Sequence, residues 1–264
     1  MKIFFSEFIA DYGQYHFPYQ VWLLKEEGDL VKTIYNCGFL PIRHLPNIFY
    51  LSRSLRVNLS GFTLSSENRR ILGKTKGFEA DLVPLTDFNY TPSVQKMCKD
   101  YAQEKIGPGV FSSQSIKNIF TAGVYNYVFV FKKIADQCTV GYAICYISEN
   151  LVQYAHCFYK VDYINQNLGA RMMLQAIIWA KKSNKKYVYL GTGYQKESLY
   201  KTEFKGIEFF NGFRWSDNLS ELKRLILGFG EEEGYLLKNK KFIEEFYSDG
   251  LENILSKYGI RINI

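Results

Sequence analysis

Three segments in the middle of the chain have the apolar patterns of β-strands. They read VYNYVFVFK from Val124, TVGYAICYIS from Thr139 and LVQYAHCFYKV from Leu151. The segments between them, at residues 135–137 and 148–150, are polar and short enough for antiparallel hairpins. The pattern therefore predicts three consecutive antiparallel strands.

The apolar period then changes from that of a strand to that of a helix. Residues 168–183 have apolar positions on more than one side of a helix, so we expect neighbours to cover this helix on several sides. The run YVYLG at 187–191 follows and predicts a short buried strand. Because a strand–helix–strand crossover normally makes parallel neighbours, the sheet is expected to be mixed.

The flanking segments are less regular. Residues 1–75 are irregular apart from IFYLSRSLRVNLSGF, which alternates like a strand with a bend at Gly61. A helix start is expected at Ser65 or Ser66, without a clean capping box. The run KTKGFEADLVPL at 74–85 is interpreted as a polar hinge. Further predicted elements are a helix at 93–105, a short helix at 197–204, a strand at 209–215, and two or three amphipathic helices within 218–264.

These patterns predict an α+β protein in three parts. Residues 1–80 form a smaller N-terminal domain, residues 81–215 form a mixed β-sheet flanked by helices, and residues 216–264 form a helical C-terminal extension. A length of 264 residues and a hydrophobic fraction of 47% are enough for a sizeable core.

Composition and charge add a moderate indication of an anionic partner. Lys and Arg number 33 against 26 for Asp and Glu, a net charge of +7. The N-terminal sequence lacks a secretory signal pattern, and no apolar run is long enough to span a bilayer. The five cysteines form no CxxC motif and are expected to be buried free thiols. We therefore expect a cytoplasmic protein.

The helix start at Gly169 raises the question of an anion site. The first N–H groups of a helix have no intrahelical partners and favour anions. Gly169 either lets a ligand approach these groups or simply turns the chain. Lys181, Lys182, Lys185 and Lys186 at the other end of this helix either bind an anion or complement the helix dipole on a solvated surface.

The order of strand, glycine turn, apolar helix and strand resembles the GNAT acyltransferase fold. The phosphate-binding motif of that fold has Gln or Arg, then Gly three residues on, then Gly or Ala two residues further. Gln166 and Gly169 match this motif, whereas Arg171 occupies its last position. The resemblance implies a GNAT-like sheet.

A narrower resemblance is to the aminoacyl-tRNA–protein transferases, the arginyltransferases and their bacterial leucyltransferase relatives. The run NLGARMMLQAIIWAKKSNKKYVYLG is similar to their Leu-Gly helix start and to their strand ending Tyr-Leu-Gly, which here ends at Gly191. Tyr200-Lys201 and FFNGFRW match the pair and the aromatic segment that follow. Upstream, SRSLRVNLSGFTLSSENRRIL matches the family's pattern of Arg, an aromatic, Ser and a basic pair, at Arg56, Phe62, Ser65, Arg69 and Arg70.

The sequence also departs from this family. Family members usually carry paired cysteines in the N-terminal region, and only Cys37 lies nearby here. A cluster or zinc site at those positions is therefore not expected. Ser198-Leu199 replaces the Met that commonly precedes the Tyr-Lys pair.

The resemblance implies acyl transfer from an aminoacyl-tRNA ester to the amine of a protein or peptide N-terminus. We expect the tRNA acceptor arm and the acceptor N-terminus as partners, and no cofactor or metal apart from aminoacyl-tRNA as co-substrate. A backbone N–H at the splayed end of the LVQYAHCFYKV strand is the expected donor to the carbonyl oxygen. The ribose hydroxyl that leaves needs a proton, for which Tyr200 and Tyr194 are the candidate catalytic residues.

The candidate substrate-binding residues follow from the same resemblance. Lys201 is expected to pair with an acidic acceptor residue; the alternative is a solvated lysine. The other candidates are Arg56, Gly169, Gln166 and Gly191, together with Arg69 and Arg70, which either hold tRNA phosphate or the acceptor peptide or lie on a solvated first turn. Tyr187 and Tyr189 are assigned to the core, and the scattered His16, His44 and His156 are interpreted as structural.

Two other functions remain open at the level of sequence. One is an acyl-CoA-dependent GNAT N-acyltransferase, which would bind CoA and no tRNA. The other is a non-catalytic GNAT-like module that binds RNA or a peptide without forming a product.

Overall fold

A computed structural model describes residues 1–7, 9–13, 18–227 and 239–247. The chain divides into two compact units, one comprising residues 1–193 and 197–217 and the other comprising 194–196 and 218–264. Within the described ranges, no helix combines the length and apolar character needed to cross a bilayer.

The N-terminal part of the first unit forms a small antiparallel sheet and a short helix. Helix α1 spans Val31–Asn36. The strands are β1 (Lys2–Glu7), β2 (Tyr19–Leu24), β3 (Phe39–Ile42) and β4 (Leu45–Leu51). They pair in the order β1-β2-β4-β3. The described residues among the first 75, which the sequence pattern leaves largely irregular, lie mostly in strands and helices, and that expectation was wrong.

The remaining strands of the first unit form one large sheet. They are β5 (Ser54–Asn58), β6 (Phe78–Pro84), β7 (Tyr127–Lys133), β8 (Thr139–Ile147), β9 (Leu151–Tyr159), β10 (Tyr187–Thr192), β11 (Ile207–Phe210) and β12 (Trp215–Ser216). Their order is β12-β11-β5-β10-β9-β8-β7-β6. Strand β10 is parallel to β9, and every other neighbouring pair in this sheet is antiparallel. The predicted mixed sheet and its three consecutive antiparallel strands, β7 to β9, are confirmed.

Helices cover this sheet as the sequence pattern indicates. They are α2 (Ser66–Lys74), α3 (Pro92–Lys105), α4 (Ser113–Thr121) and α5 (Leu168–Lys182). Helix α5 packs against β9 and β10 and also contacts α2, while α3 packs against β9 and α4. Coverage by several neighbours explains why the apolar stripe of α5 is wide.

Two local interpretations need correction. The segment interpreted as a polar hinge contains β6, because Phe78, Ala80 and Leu82 alternate with polar residues and pair along β7. The start of α2 does have a capping box, in which the Ser65 hydroxyl accepts from the Asn68 backbone and the Asn68 side chain accepts from the Ser65 N–H. Asn at the third position, in place of the usual Glu or Gln, conceals this motif in the sequence.

An apolar cluster joins α1 and the small sheet to the large sheet. Its fully buried members come from both sheets and from α1, and they are Leu23, Ile34, Tyr35, Phe39, Leu40, Phe49, Leu151 and Tyr189. The core assignment of Tyr189 is confirmed, and Tyr187 packs partly buried against the same cluster. The side chains at this junction are therefore held in place by contacts from both sheets.

The second unit contains helices α6 (Leu219–Leu227) and α7 (Lys240–Phe246). Within it, the Tyr247 hydroxyl donates to the buried Glu221 carboxylate at 2.7 Å. Part of the predicted helical extension lies outside the described residues. The domain boundaries near residues 80 and 215 stay predictions.

Candidate active site

A cavity opens where β9 and β10 separate. The parallel pairing of these strands covers only three residue pairs, from Tyr187↔Leu151 to Tyr189↔Gln153, although both strands continue beyond them. Beyond the last pair lies a cavity of about 500 Å³. It is lined by Leu40, Pro41, Ile42, Arg43, His44, Tyr50, Tyr125, Gln153, Ala155, His156, Leu190, Gly191, Thr192 and Lys201. The small sheet thus forms one wall, and the ends of β9 and β10 form another.

A bulge in β9 shapes this wall. The register with β8 shifts so that His156 pairs with Ile144 and Tyr154 pairs with Cys145, which leaves Ala155 as the extra residue. Gln153 and His156 are three positions apart and would face opposite sides of a regular strand. Because of the bulge, both line the same cavity.

The cavity carries positive charge. Arg43 and Lys201 lie in its wall, and none of the described residues that line it has a carboxylate. The Arg43 guanidinium lies 4.5 Å from the centre of the Phe111 ring and has no hydrogen-bond or ion-pair partner within the described part of the chain. An anionic group that entered the cavity would therefore meet a cation that no carboxylate already neutralises.

His156 is neutral in this cavity at physiological pH. Burial, and after it the nearby positive charge of Arg43, lowers its pKa from 6.5 to about 3. Its Nε2 atom lies 3.2 Å from the Tyr125 hydroxyl, and its ring stacks on Phe158. A neutral imidazole leaves the positive charge of the cavity to Arg43 and Lys201.

Two residues predicted from the sequence, Gly191 and Lys201, meet at one side of the cavity. Lys201 donates from Nζ to the Thr192 carbonyl oxygen at 3.1 Å, and desolvation lowers its pKa. Gly191 has φ +81, and a Cβ built there would lie 3.7 Å from Lys201 Nζ. Any other residue at Gly191 would need a strained backbone conformation, and its Cβ would be in van der Waals contact with the lysine.

Tyr200 precedes Lys201 on the same 3₁₀ segment, Lys196–Glu203. The residue as a whole is 52% exposed, yet desolvation, together with Cys157 and Tyr159, raises its pKa to about 12. Tyr200 is then protonated at neutral pH and able to donate.

Arg56 is placed differently from the sequence prediction of substrate binding. Its guanidinium donates to Glu208 at 2.7 Å and to the Asn36 side chain at 3.0 Å. The same group lies between the rings of Tyr187 and Trp215, at 3.9 and 3.8 Å from their centres. The side chain is buried, it does not line the cavity, and its interactions within the protein account for its position.

Gly169 meets a tyrosine of its own chain. A Cβ at this second residue of α5 would lie 2.8 Å from the buried Tyr159 hydroxyl, closer than real Cβ contacts allow. The missing side chain therefore makes room for Tyr159, which is a packing reason for glycine. Gln166 donates to the Asp162 carbonyl oxygen at 3.0 Å in the turn before the helix. Neither residue lines the cavity.

The remaining basic candidates lie on exposed surfaces. Arg69 donates to the Leu64 carbonyl oxygen at 2.7 Å, and Arg70 pairs with Glu67 on the first turns of α2. Of the four lysines at the end of α5, Lys181 donates to the Phe62 carbonyl and Lys185 to that of Ser148. Two of these lysines are therefore engaged in hydrogen bonds to the backbone of other segments. Tyr194 is half exposed and belongs to the second unit.

The cysteine and histidine expectations hold only in part. All five cysteines are free, but Cys37 and Cys138 are exposed. His44 and His156, interpreted from sequence as structural, line the cavity, whereas His16 lies outside the described residues.

Sequence reasoning missed the residues that the small sheet contributes. Arg43, in the turn between β3 and β4, and Tyr50 of β4 are distant from the strand–helix–strand unit along the chain, and only the packing of the two sheets brings them to it. Tyr125 was also missed, and it lies just before β7 of the large sheet. One signal was present for Gln153, a polar residue in the otherwise apolar run LVQYAHCFY.

Comparisons with known proteins identify the relatives of this chain. A family model described as the C terminus of arginine-tRNA-protein transferase matches residues 90–211. An aspartate/glutamate leucyltransferase of Stenotrophomonas maltophilia is 33% identical over 86 residues, which are 31% of this chain and 34% of that protein. A protein of the same name from Saccharophagus degradans is 25% identical over 167 residues, 61% of this chain and 69% of that protein. The first match thus spans about a third of the relative's length.

A solved structure with some likeness is a GNAT family acetyltransferase from Elizabethkingia anophelis with acetyl-CoA bound. It has 16% identity and a TM-score of 0.34, covering 48% of this chain and 72% of that one. The mixed sheet with its β9–α5–β10 crossover is established by the strand pairing itself.

Proposed function

We propose that the chain is an aminoacyl-tRNA–protein transferase, a family whose model matches residues 90–211, and that it transfers an aminoacyl group from aminoacyl-tRNA to the α-amine of a protein or peptide N-terminus. The observation that carries this proposal is the cavity at the separation of β9 and β10, much of whose wall lies within the matched residues 90–211. Aminoacyl-tRNA serves as the co-substrate, and we propose no further cofactor. Free cysteines and a tRNA substrate favour a cytoplasmic location.

The charge of the cavity supports an acidic acceptor. Arg43 and Lys201 are the cations of its wall, and no carboxylate is found among its described lining residues. An N-terminal Asp or Glu side chain would form a charge-assisted hydrogen bond there. The names of the relatives, aspartate/glutamate leucyltransferases, support the same class of acceptor.

The proposed reaction needs no nucleophile from the protein. The neutral α-amine attacks the ester carbonyl carbon, the new C–N bond forms, and the carbonyl electron pair moves to oxygen. When the tetrahedral intermediate collapses, the bond to the ribose oxygen breaks. The nitrogen gives up one proton and the ribose oxygen gains one, so that the products are an amide and a tRNA with a free hydroxyl.

Tyr200 is the proposed proton donor to the leaving ribose oxygen. Its raised pKa keeps the phenol protonated at neutral pH, and it can recover its proton from the attacking amine. Tyr194, the second catalytic candidate, would serve the same step. Arg69, Arg70 and the lysines at the end of α5 are proposed contacts for tRNA phosphates.

One experiment tests the function directly. The protein is incubated with charged total tRNA and a set of peptides that differ in their first residue, and the peptide masses are measured. We expect a gain of one aminoacyl residue on peptides that begin with Asp or Glu, and none after the tRNA has been deacylated. Modification with acetyl-CoA in the absence of tRNA, or binding without any product, would overturn the proposal.

A further inference from the structure

Gln153 has an unused donor at the point where β9 and β10 separate. It is the last β9 residue that pairs with β10, it is 4% exposed, and it lines the cavity. Its Oε1 atom accepts a hydrogen bond of 2.5 Å from the Tyr35 hydroxyl. No hydrogen bond in the described part of the chain uses its Nε2 atom.

The orientation of the Gln153 amide follows from the needs of Tyr35. The Tyr35 side chain is 1% exposed, and Gln153 is its hydrogen-bond partner within the described residues. A buried hydroxyl that donated to nothing would lose its hydrogen bond with water without replacement. If the amide were reversed, Nε2 would face the hydroxyl and leave that proton without an acceptor. The carbonyl oxygen of Gln153 therefore faces Tyr35, and the NH₂ group faces away from it.

Tyr35 is itself held rigidly. Its ring lies 4.8 Å from the ring of Tyr189 and stacks on Tyr146. The next residue, Asn36, accepts from the Trp215 indole through its backbone oxygen at 2.7 Å and from Arg56 through its side chain. These contacts fix the end of α1 on the large sheet. The amide of Gln153 thus has a fixed direction before any substrate arrives.

We propose that Gln153 is a catalytic residue whose Nε2–H donates to the carbonyl oxygen of the aminoacyl ester, and that Tyr35 is the positioning residue that aims it. This inference rests on the proposed aminoacyl transfer. When the amine attacks, negative charge develops on the carbonyl oxygen, and the amide donor stabilises that charge while keeping its proton. A donor fixed in advance need not reorganise in the transition state.

The variants separate this role from a structural one. Gln153→Met keeps the length of the side chain and removes the donor, but it also leaves the Tyr35 hydroxyl unpaired. Tyr35→Phe removes that hydroxyl, so the double variant has neither the Gln153 donor nor an unpaired Tyr35 hydroxyl. Gln175→Met in α5, outside the cavity, is the matched control. The assay is the initial rate of transfer from charged total tRNA to an acidic peptide, with melting temperatures for the wild type and the four variants.

We expect Gln153→Met to lower kcat by a factor on the order of 10²–10³, as removal of an oxyanion donor does in other enzymes. The KM for the peptide and the affinity for charged tRNA should not change. The melting temperature should fall in the single variant and recover in the double variant, while kcat stays low. Tyr35→Phe should lower kcat in the wild-type background and have no further effect on kcat when Gln153 is already Met.

Three results would overturn the inference. Recovery of kcat in the double variant would show that the unpaired Tyr35 hydroxyl, and not the lost donor, caused the fall in kcat. A higher peptide KM with unchanged kcat would assign the amide to acceptor binding. Equal kcat for Gln153→Met and Gln175→Met would remove any role in the reaction. If the wild-type protein transfers no aminoacyl group at all, the proposed function fails first, and that outcome is distinct from these three.

Discussion

Replacing Arg43 by Met removes a cation from the proposed acceptor site while leaving a side chain able to cover the Phe111 ring. The guanidinium lies over that ring and has no hydrogen-bond or ion-pair partner within the described residues. Its loss therefore leaves no carboxylate among them without an ion-pair partner. We therefore expect little change in stability. The effect should instead appear in the recognition of the acceptor.

The magnitude follows from the partly buried position of Arg43. A hydrogen bond that involves a charged group contributes about 1.5–3 kcal/mol, and each 1.4 kcal/mol corresponds to about a tenfold change in rate. For peptides that begin with Asp or Glu, kcat/KM should fall by about one to two decades. For peptides that begin with Ala, which never form the pair, kcat/KM should hardly change.

Lys201→Met should show the same selectivity with a smaller loss. Lys201 already donates to the Thr192 carbonyl oxygen, and desolvation disfavours its charged form. The assay is the initial rate of peptide modification, followed by mass spectrometry for acidic and neutral acceptors in parallel. Lys117→Met, on the exposed face of α4, controls for the loss of one positive charge. Equal losses on acidic and neutral peptides for both cavity variants would refute the acceptor assignment.

Three further predictions concern stability. Gly169→Ala should destabilise the protein by about 1–3 kcal/mol through its clash with the Tyr159 hydroxyl, and adding Tyr159→Phe should restore most of the melting temperature. Arg56→Met should cost about 3 kcal/mol in chemical denaturation because it leaves the Glu208 carboxylate without its cation, although the Asn58 amide still donates to it; a higher substrate KM at unchanged stability would instead support the substrate-binding prediction. The pKa of His156 is lowered to about 3 in the folded protein, so below pH 6.5 the unfolded chain binds a proton at this imidazole that the folded protein does not. The free energy of unfolding should therefore fall by at most about 1.4 kcal/mol for each pH unit below 6.5. A His156→Gln variant should lack this slope between pH 6.5 and 4, and a slope equal to that of the wild type would contradict the neutral imidazole.

The central unit of the fold could be predicted because its signals are local. Strands β7 to β9, helix α5 and strand β10 each have an apolar period of their own, and short turns or a crossover fix how they pair. The segment from 48 to 62 shows the limit of such reasoning. Its continuous alternation looks like one strand, but β4 and β5 belong to different sheets. Only tertiary pairing decides that division.

The candidate site likewise has one part that local sequence signals predict and another part that they do not. Gly191 lies near the end of β10, and Tyr200 and Lys201 lie on the short helical segment after it, so a motif in the sequence could find them. The structure places Gly191 and Lys201 in the cavity wall. Arg43 and Tyr35 come from the other sheet and its helix, where nothing nearby in the sequence marks them. Gly169 matched a motif, but its surroundings show a packing reason that the motif could not reveal.

The position of β5 between β10 and β11 has a consequence for how the protein is made. Arg56 of β5 and Tyr189 of β10 are 133 residues apart along the chain, and they pair side by side in the sheet. During translation at about 5–20 residues per second, the earlier strand must wait on the order of 10 s for its partner. Contacts of such long range slow folding, because a large loop must close before they form. Until then β5 is an unpaired edge open to other strands, and a ribosome-bound chain is the form of this protein most exposed to misassembly and to capture by chaperones.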